Sequence, residues 1–452
     1  MDFRPRKPAE GDLTGLWRAT PATLELKRTG ADADLDDSGW QALEVPGHWG
    51  QHPALVDHDG PILHRRRFRH RNPEPDERLW LRFDGVLSGA EVWLDGSYIG
   101  DTTSYFASHR YDVTGLLAAS FDHLLAVDVS SPAPGDDRRK STLTGSLQTG
   151  HLAPGGNPGG IWRDVAIDST GPVAIRYARL LCTKASTEAA EIVVRLVLDA
   201  AVQTEIRLDS SVVGPDGTAA GGSVERHDLA SGENRIEWTV TVDRPALWWP
   251  AALGGQPLYE VAVAIRLADG RLSDRREWRT GLREVRVDNF IWRINGSRLF
   301  TKGIVYGPPD RFLNSVTEAA LVKDMAAARD AGLDLVRVYG HIGRSELYDE
   351  ADRQGLLIWQ DLPMIGGYSS KVRSAARVMA RHAVDQLGHH PSVGLWCGHI
   401  DPNGRAIPEP HSALRQPNRS GRAAGGRAER RAIDGAATTE TRSTAGAVAG
   451  TG

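Results

Sequence analysis

The sequence contains few cysteines and no long apolar segment. Its 452 residues include only two cysteines, Cys182 and Cys397, which are too far apart in the chain to form a metal-binding or disulfide pattern. So little cysteine is typical of a reducing compartment, and we predict a cytoplasmic location. The first residues, MDFRPRKPAEGDLTGLW, contain no apolar stretch typical of a signal peptide. No run of about 18 apolar residues predicts a membrane span.

Charge of one sign is not in excess either. Lys and Arg total 54 and Asp and Glu total 58, which leaves a net charge of −4. This balance predicts neither nucleic acid nor a membrane surface as a partner. The His and Asp residues are isolated and lack the spacing of metal ligands, so we expect no metal site and no cofactor.

Tryptophan, by contrast, is abundant, with 13 Trp against 9 Tyr and 8 Phe. Carbohydrate-handling proteins stack sugars on indole rings, but buried core packing is the commoner use of tryptophan. Composition leaves both explanations open. The length of 452 residues is too great for one domain and predicts about three.

Two regions have the patterns of β-sheet proteins. Residues 1–170 contain short runs with alternating polarity, such as AEVWLDG (90–96), separated by Gly, Asp and Pro turns. These runs predict a jelly roll, and the Pro-, Gly- and Ser-rich stretch 131–160 predicts a long loop within it. Residues 171–281 contain four further strand-like runs at the spacing of an immunoglobulin-like sandwich.

The pattern changes in residues 282–402, where apolar strands alternate with helices. We count four strands and three helices, which predicts a parallel sheet covered by helices. A capping box formed by Ser315 and Glu318 is expected to begin the first helix, and Gly332 to follow its end. The second helix is expected to end at Gly355.

The last 50 residues, 403–452, differ from the rest. Ala, Gly and Arg supply 27 of them, and no aromatic residue follows Trp396. Such a segment cannot bury enough apolar surface to offset its ordering entropy, so we expect disorder. A flexible tail is one interpretation. We favour a lost reading frame or a truncation near Ile400, because the composition changes directly after a buried strand.

Several segments resemble a known family in the same order along residues 10–402. They are VPGHWG (45–50), RRRF (65–68), LRFDGVLSGAEVWLDGSYIG (81–100), YDVTGLL (111–117), GGIWRDV (159–165), LREVRVDNFIWRINGSRLFTKGIVYGP (282–308), LDLVRVYGHIGRSELYDEADRQGLLIWQDLP (333–363) and HHPSVGLWCGHIDP (389–402). They resemble glycoside hydrolase family 2, which includes β-galactosidases, β-glucuronidases and β-mannosidases. The resemblance implies a jelly-roll sugar-binding-type domain over 1–170, an immunoglobulin-like sandwich over 171–281 and the first half of a (β/α)8 TIM barrel over 282–402. The WQD and WCG segments resemble the β-mannosidase side of the family.

The resemblance also implies a retaining hydrolase of terminal β-linked sugars. Such enzymes use two carboxyl groups about 5 Å apart, one as acid and base and one as nucleophile. The acid/base of the family is the Glu of an Asn-Glu pair, and Ile400-Asp401 lies at that position here. Asp401 is shorter than Glu, and a displacement of about 1 Å can cost on the order of 10²-fold in rate. No residue matches the nucleophile, so we predict a truncated and inactive chain.

Four further residues are predicted to bind substrate, and the resemblance implies this for Arg337, which lies where the family keeps a sugar-site arginine. Arg337 ends the second strand, Asp361 ends the third, and Trp396 and His399 belong to the fourth strand and its end. The alternative for Arg337 and Asp361 is a structural ion pair with each other, and both roles can hold together. A lone His is otherwise usually structural. Asp401 could also be a turn residue before Pro402.

Two other functions remain open from the sequence. The chain could be a non-catalytic carbohydrate-binding protein in which the jelly roll binds the sugar. It could also be a broken gene product, whose open half barrel would leave two unpaired strand edges and favour aggregation.

Overall fold

A computed structural model describes residues 11–131, 143–148 and 159–400. They divide into two compact units. The N-terminal unit contains the described residues up to Ala174 together with Pro308–Val316, and the C-terminal unit contains Ile175–Gly307 and the described residues from Thr317 onward. Most of the predicted loop and the whole tail lie outside the described residues. The three-domain division remains a prediction, because this division into units does not separate 171–281 from 282–402.

The described part of the N-terminal unit is built from antiparallel strands. They are β1 (Gly15–Pro21), β2 (Gln41–Val45), β3 (Ile62–Arg69), β4 (Arg78–Phe83), β5 (Val86–Leu87), β6 (Gly89–Leu94), β7 (Ser97–Asp101), β8 (His109–Asp112), β9 (Asp122–Ser130), β10 (Gly160–Ile161) and β11 (Val165–Thr170). Two one-turn helices, α1 (Leu26–Thr29) and α2 (Thr114–Leu117), connect them, with 3-10 turns at Trp49–Gln51 and Gly145–Gln148.

Two sheets of this unit share one apolar core. The larger has the order β2-β1-β3-β9-β6-β7 and the smaller β11-β4-β8. Alternation along β6 buries Val92 and Leu94 beside Phe83 of β4 and Ile167 of β11, so side chains of both sheets meet in one cluster. Trp162 is also buried, and its indole N–H donates to the Tyr105 carbonyl at 2.7 Å, so its role is packing within this unit.

The first part of the C-terminal unit is a second pair of antiparallel sheets, with orders β12-β13-β16 and β15-β14-β17-β18. Their strands are β12 (Val173–Ala185), β13 (Ala189–Ala200), β14 (Thr204–Val213), β15 (Ala219–Leu229), β16 (Gly232–Asp243), β17 (Tyr259–Leu267) and β18 (Leu272–Thr280). In β13 every second residue is buried, as a strand with one face on a core requires. This region therefore has the layered β architecture that the sequence predicts.

The remaining elements are a three-stranded antiparallel sheet and a four-stranded parallel sheet. The first consists of β19 (Val285–Asp288), β20 (Ile291–Ile294) and β21 (Ser297–Leu299). The second has the order β22-β23-β24-β25, with β22 (Gly303–Tyr306), β23 (Leu335–Val338), β24 (Leu357–Asp361) and β25 (Val393–Cys397). The helices between these strands are α3 (Glu318–Asp330), α4 (Ser345–Gln354) and α5 (Arg373–Leu387), with 3-10 turns at Leu313–Ser315 and Ser370–Val372.

The boundaries of the helices test the sequence signals directly. The capping prediction for α3 was wrong, because Thr317 is its N-cap and accepts a hydrogen bond from the Ala320 amide at 3.2 Å. Ser315 instead lies in the preceding 3-10 turn. Gly355 does end α4 and adopts φ +70°, a left-handed conformation in which a side chain is disfavoured.

Trp248 joins the parts of the C-terminal unit. It is fully buried in a cluster with Trp292 of β20 and Leu357 of β24, and its indole N–H donates to the Asp352 carbonyl at 2.9 Å. Among the described residues, no helix is long and apolar enough to cross a membrane. Both cysteines, Cys182 and Cys397, carry free thiols.

Candidate active site

The candidate site lies where three parallel strands end. Arg337 belongs to β23, Asp361 is the last residue of β24, and Cys397 is the last residue of β25. Register pairs Arg337 with Trp359 and Asp361 with Cys397. Because parallel strands end at the same edge of the sheet, this register collects their side chains in one place.

Arg337 and Asp361 form the ion pair that the sequence left open as an alternative. The Arg337 Nε–H donates to Asp361 Oδ2 at 2.9 Å, and the Asp361 side chain is fully buried. Burial raises the pKa of Asp361 to about 6, although the Arg337 charge and its hydrogen bond act in the opposite direction. The carboxyl group is therefore costly to ionise, and Arg337 offsets part of that cost.

Aromatic rings orient the Arg337 guanidinium. Its central carbon lies 4.6 Å from the ring centroid of Trp359 and 5.5 Å from that of Tyr339. A planar guanidinium stacks on aromatic faces in a way that a lysine ammonium does not. Trp359 therefore lies on the same face of the sheet as Arg337.

Cys397 adds a buried thiol beside the carboxylate. Burial, followed by the negative charge of Asp361, raises the pKa of the Cys397 thiol to about 12. The thiol lies 3.6 Å from the His399 carbonyl, which accepts from it. A thiol with this pKa stays protonated at neutral pH, so the geometry does not support a nucleophilic role for Cys397.

The chain beyond β24 pairs with the chain beyond β25. The Leu362 amide donates to the Cys397 carbonyl at 2.8 Å, the Ile400 amide to the Met364 carbonyl at 2.8 Å, and the Gly366 amide to the Ile400 carbonyl at 2.9 Å. Ile400, which occupies the position of the family's asparagine, has a buried side chain. Asp401, the predicted acid/base position, lies outside the described residues, so its role remains a prediction.

His399 lies at the same strand end as the ion pair. Its Nε2–H donates to the Gly366 carbonyl at 2.7 Å, and its ring lies 5.5 Å from that of Tyr368. These contacts orient the imidazole against the loop that follows β24. His399 thus has structural partners, and its assignment to substrate binding stays a prediction.

Trp396 does not join this group. Register pairs it with Gln360, and alternation along the strand places it on the opposite face from Cys397. Gln360 is fully buried and accepts a hydrogen bond from the Tyr348 hydroxyl of α4 at 2.6 Å, which identifies that face as the helix side. The substrate-binding role predicted for Trp396 remains untested, but the register separates it from Arg337.

Sequence reasoning missed the hydrogen bonds that hold the loop after β23. The Gln360 amide donates to the His341 carbonyl at 2.7 Å, and His341 is fully buried. Burial lowers the pKa of His341 to about 4, so its imidazole is neutral. The only local signal was the position of Gln360 between Trp359 and Asp361. Alternation along the strand places Gln360 on the face of the sheet opposite to these two neighbours.

A second cluster lies at the opposite edge of the parallel sheet. Ligand-type atoms of Asp349, Asp352 and His390 lie within 4.8 Å of one another, and all three residues are buried. Asp352 accepts from His390 Nδ1 at 2.6 Å and from the Ser392 amide at 2.9 Å, so both of its oxygens are satisfied without an ion. We interpret this cluster as structural.

Comparison with known proteins identifies the family. The profile described as the glycosyl hydrolase 2 galactose-binding domain-like family matches residues 60–163, and that of glycosyl hydrolases family 2 matches residues 178–283. Both of these regions of the chain therefore match profiles of glycoside hydrolase family 2. The profiles match the two β regions, and the resemblance read from the sequence is thereby confirmed.

Curated relatives of this chain include two proteins named beta-mannosidase B. Beta-mannosidase B of Neosartorya fischeri is 26% identical over 351 residues, 70% of this chain and 41% of the relative. Beta-mannosidase B of Aspergillus fumigatus is 27% identical over 351 residues, again 70% of this chain and 41% of the relative. The chain therefore spans less than half the length of the curated relatives it matches.

Solved structures of family 2 proteins share the fold. The beta-D-mannosidase of Dictyoglomus thermophilum has a TM-score of 0.72 at 21% identity, covering 85% of this chain and 51% of that one. Bacteroides uniformis beta-glucuronidase 2 has a TM-score of 0.75 at 19% identity, covering 95% of this chain and 51% of that one. At this level of identity the likeness concerns the fold alone.

Proposed function

We propose that this family 2 chain is part of a retaining exo-glycosidase for terminal β-linked sugars, with β-mannosides as the preferred class. The observation that carries the proposal is the buried Arg337–Asp361 pair at the carboxyl edge of a parallel sheet. The relatives named beta-mannosidase B support the mannoside preference. We further propose that the four-stranded sheet is the first half of a (β/α)8 barrel, where functional groups gather at that edge.

In this proposal Arg337 and Asp361 bind substrate and do not break the glycosidic bond. Asp361 accepts a hydrogen bond from Arg337, which holds its carboxylate in place. Burial raises the pKa of Asp361. The Arg337 guanidinium retains N–H groups beyond Nε that can donate to sugar hydroxyls. Asp401, directly after Ile400, is the proposed acid/base position, and its shorter side chain predicts poor proton transfer.

We also propose that residues 1–452 alone do not hydrolyse the glycoside. A retaining mechanism needs a second carboxylate about 5 Å from the acid/base. No residue of this sequence matches the family's nucleophile, and Asp361 is engaged by Arg337. The chain should therefore bind a β-mannoside without turning it over.

The test combines binding with turnover. Calorimetric titration of the 1–452 chain with methyl β-mannoside, methyl β-galactoside and methyl β-glucuronide should show binding of the mannoside, and Arg337→Met should weaken it at least tenfold. Arg298→Met, which removes an exposed guanidinium of β21, is the matched control and should change nothing. Release of nitrophenol from an aryl β-mannoside would contradict the predicted inactivity. Binding that is unaffected by Arg337→Met would overturn the site assignment.

A further inference from the structure

Helix α5 carries a row of exposed arginines that the candidate active site does not use. Arg373, Arg377 and Arg381 follow one another at intervals of four residues, and all three are exposed. Residues four apart lie on one side of an α-helix, about 6 Å apart along its axis. The three guanidinium groups therefore form a basic stripe about 12 Å long.

The elements packed against α5 leave this basic stripe without a counter-charge. None of its three arginines makes a hydrogen bond or an ion pair with another described residue. Asp385 is the only acidic residue of α5, and its carboxylate already accepts from the Arg179 Nε–H of β12 at 2.5 Å. His382 stacks on Tyr177 of β12, with ring centroids 6.2 Å apart. Strand β12 thus covers one side of α5 and occupies its only carboxylate.

The basic stripe does not stabilise the helix that carries it. Arg373 is the first residue of α5, where the helix dipole disfavours a positive charge, and the first turn contains no acidic residue. Like charges four residues apart on a helix also repel each other. The arginines are therefore unfavourable for the helix alone, and an anion bound along the stripe would offset their repulsion.

The spacing and the type of side chain indicate a row of carboxylates as the partner. Alternate residues of an extended peptide lie on one face about 7 Å apart, which is close to the step of about 6 Å along the stripe. A guanidinium group binds a carboxylate through two parallel hydrogen bonds, a geometry that lysine does not offer. Clusters of arginine recognise acidic peptide motifs in this way.

The charge of the whole chain favours a short acidic segment over a long polyanion. The 452 residues carry a net charge of −4, whereas the stripe concentrates three positive charges. Salt screens charges that lie more than about 8 Å apart at physiological ionic strength, so a short ligand interacts mainly with the stripe. A nucleic acid or an anionic membrane extends over the surrounding surface and meets its negative charges as well.

We propose that the basic stripe binds an extended acidic peptide segment of a partner protein. Carboxylates at three alternate positions of the peptide pair with Arg373, Arg377 and Arg381, and each guanidinium donates two N–H groups to one carboxylate. The stripe goes beyond the proposed glycosidase function, because its residues are separate from the strand ends that carry Arg337 and Asp361. It gives the chain a docking surface for another protein.

The experiment is a fluorescence-anisotropy titration of the complete 1–452 chain with a labelled peptide in which three glutamates alternate with serines. We expect saturable binding that weakens as the salt concentration rises. Arg377→Gln should reduce the affinity at least fivefold, and the triple variant R373Q/R377Q/R381Q should abolish binding. Arg298→Gln, which removes an exposed guanidinium of β21 outside the stripe, is the matched control and should leave the affinity unchanged.

Thermal unfolding of the same variants distinguishes binding from folding. Because the arginines repel one another, Arg377→Gln should leave the melting temperature unchanged or raise it while the affinity falls. A lower melting temperature with unchanged affinity would assign the stripe to stability and overturn the proposal. Equal binding of a peptide with glutamine in place of glutamate, or an equal effect of Arg298→Gln, would also overturn it. So would tighter binding of a short single-stranded DNA or of phosphatidylserine vesicles.

Discussion

Asp352 and Asp361 are buried carboxylates at opposite edges of the parallel sheet, and their hydrogen-bond partners differ. At the amino edge, Asp352 accepts from His390 and from the Ser392 amide, and neither donor depends on a ligand. At the carboxyl edge, Asp361 depends on Arg337, and burial leaves its pKa raised to about 6. Asp352 therefore has a protein donor for each of its oxygens, whereas the charge of Asp361 is only partly compensated.

This difference follows a general property of sheets of alternating strands and helices. Loops at the amino edge mainly stabilise the fold, whereas loops at the carboxyl edge supply the functional residues. A carboxylate that is expensive to ionise, held by one stacked guanidinium, is the kind of group expected at a functional site. Substitution of Asp352 should therefore act on folding, and substitutions of Asp361 and Arg337 should act on titration and ligand binding.

The largest expected effect comes from Asp352→Ala at the amino edge. The substitution leaves His390 and the Ser392 amide without their acceptor in a buried place. Removing one partner of such a buried pair costs about 3–5 kcal/mol of the free energy of unfolding. Urea denaturation followed by circular dichroism measures this cost.

The isosteric variant Asp352→Asn is the control, since its side-chain carbonyl can still accept from one of the two donors. It should lose less than half as much stability as Asp352→Ala. If Asp352→Ala cost less than about 1 kcal/mol, a value expected of a surface position, the amino edge would not be the stabilising element described above.

The second effect is the pH dependence caused by Asp361. Its pKa is raised from 3.8 in the unfolded chain to about 6 in the folded one. The folded state therefore binds more protons in this window, and stability must fall as the pH rises from about 4 to about 6. The total change is on the order of 3 kcal/mol. Asp361→Asn should remove this slope.

The measurement is the free energy of unfolding of the unsubstituted chain and of Asp361→Asn across that pH window. The difference between the two removes the contribution of other titrating groups. A difference that is constant with pH, or that changes in the opposite direction, would show that Asp361 is not the group that titrates.

A smaller effect is expected for Arg337→Lys. Lysine keeps the charge beside Asp361 but loses the Nε donor and the stacking on Trp359. We expect a loss of about 1–2 kcal/mol in the free energy of unfolding. Arg69→Lys is the matched control because its pair with Asp122 is exposed, and solvent screens an exposed pair so that it contributes little to stability. Equal effects of the two substitutions would contradict the special environment of Arg337.

The smallest effect concerns the reactivity of Cys397. In a Cys182→Ser background only this thiol can be alkylated. Native Cys397 should react far more slowly with iodoacetamide than the unfolded chain, because burial raises its pKa to about 12. Asp361→Asn removes a negative charge that also raises this pKa, so the rate should increase a few-fold. An unchanged or slower rate would show that the charge of Asp361 does not raise the pKa of Cys397.

Much of this architecture was readable from the sequence because its signals are local. The alternation of apolar strands and helices over 282–402 predicted four strands and three helices, and Gly355 marked the end of α4. The positions of Arg337 and Asp361 at strand ends made their ion pair predictable. Local signals failed at the start of α3, where two hydroxyl residues compete and Thr317 is the cap.

The amino-acid sequence by itself determined the resemblance to the family and the order of the β and α/β regions along the chain. It also determined which strand ends carry the candidate site. Tertiary structure alone decided which side chains meet. The register shift before Trp359 places Trp396 opposite Gln360, and 38 residues separate Asp352 from His390. Periodicity follows from neighbours along the chain, whereas register and burial depend on how distant strands pair and pack.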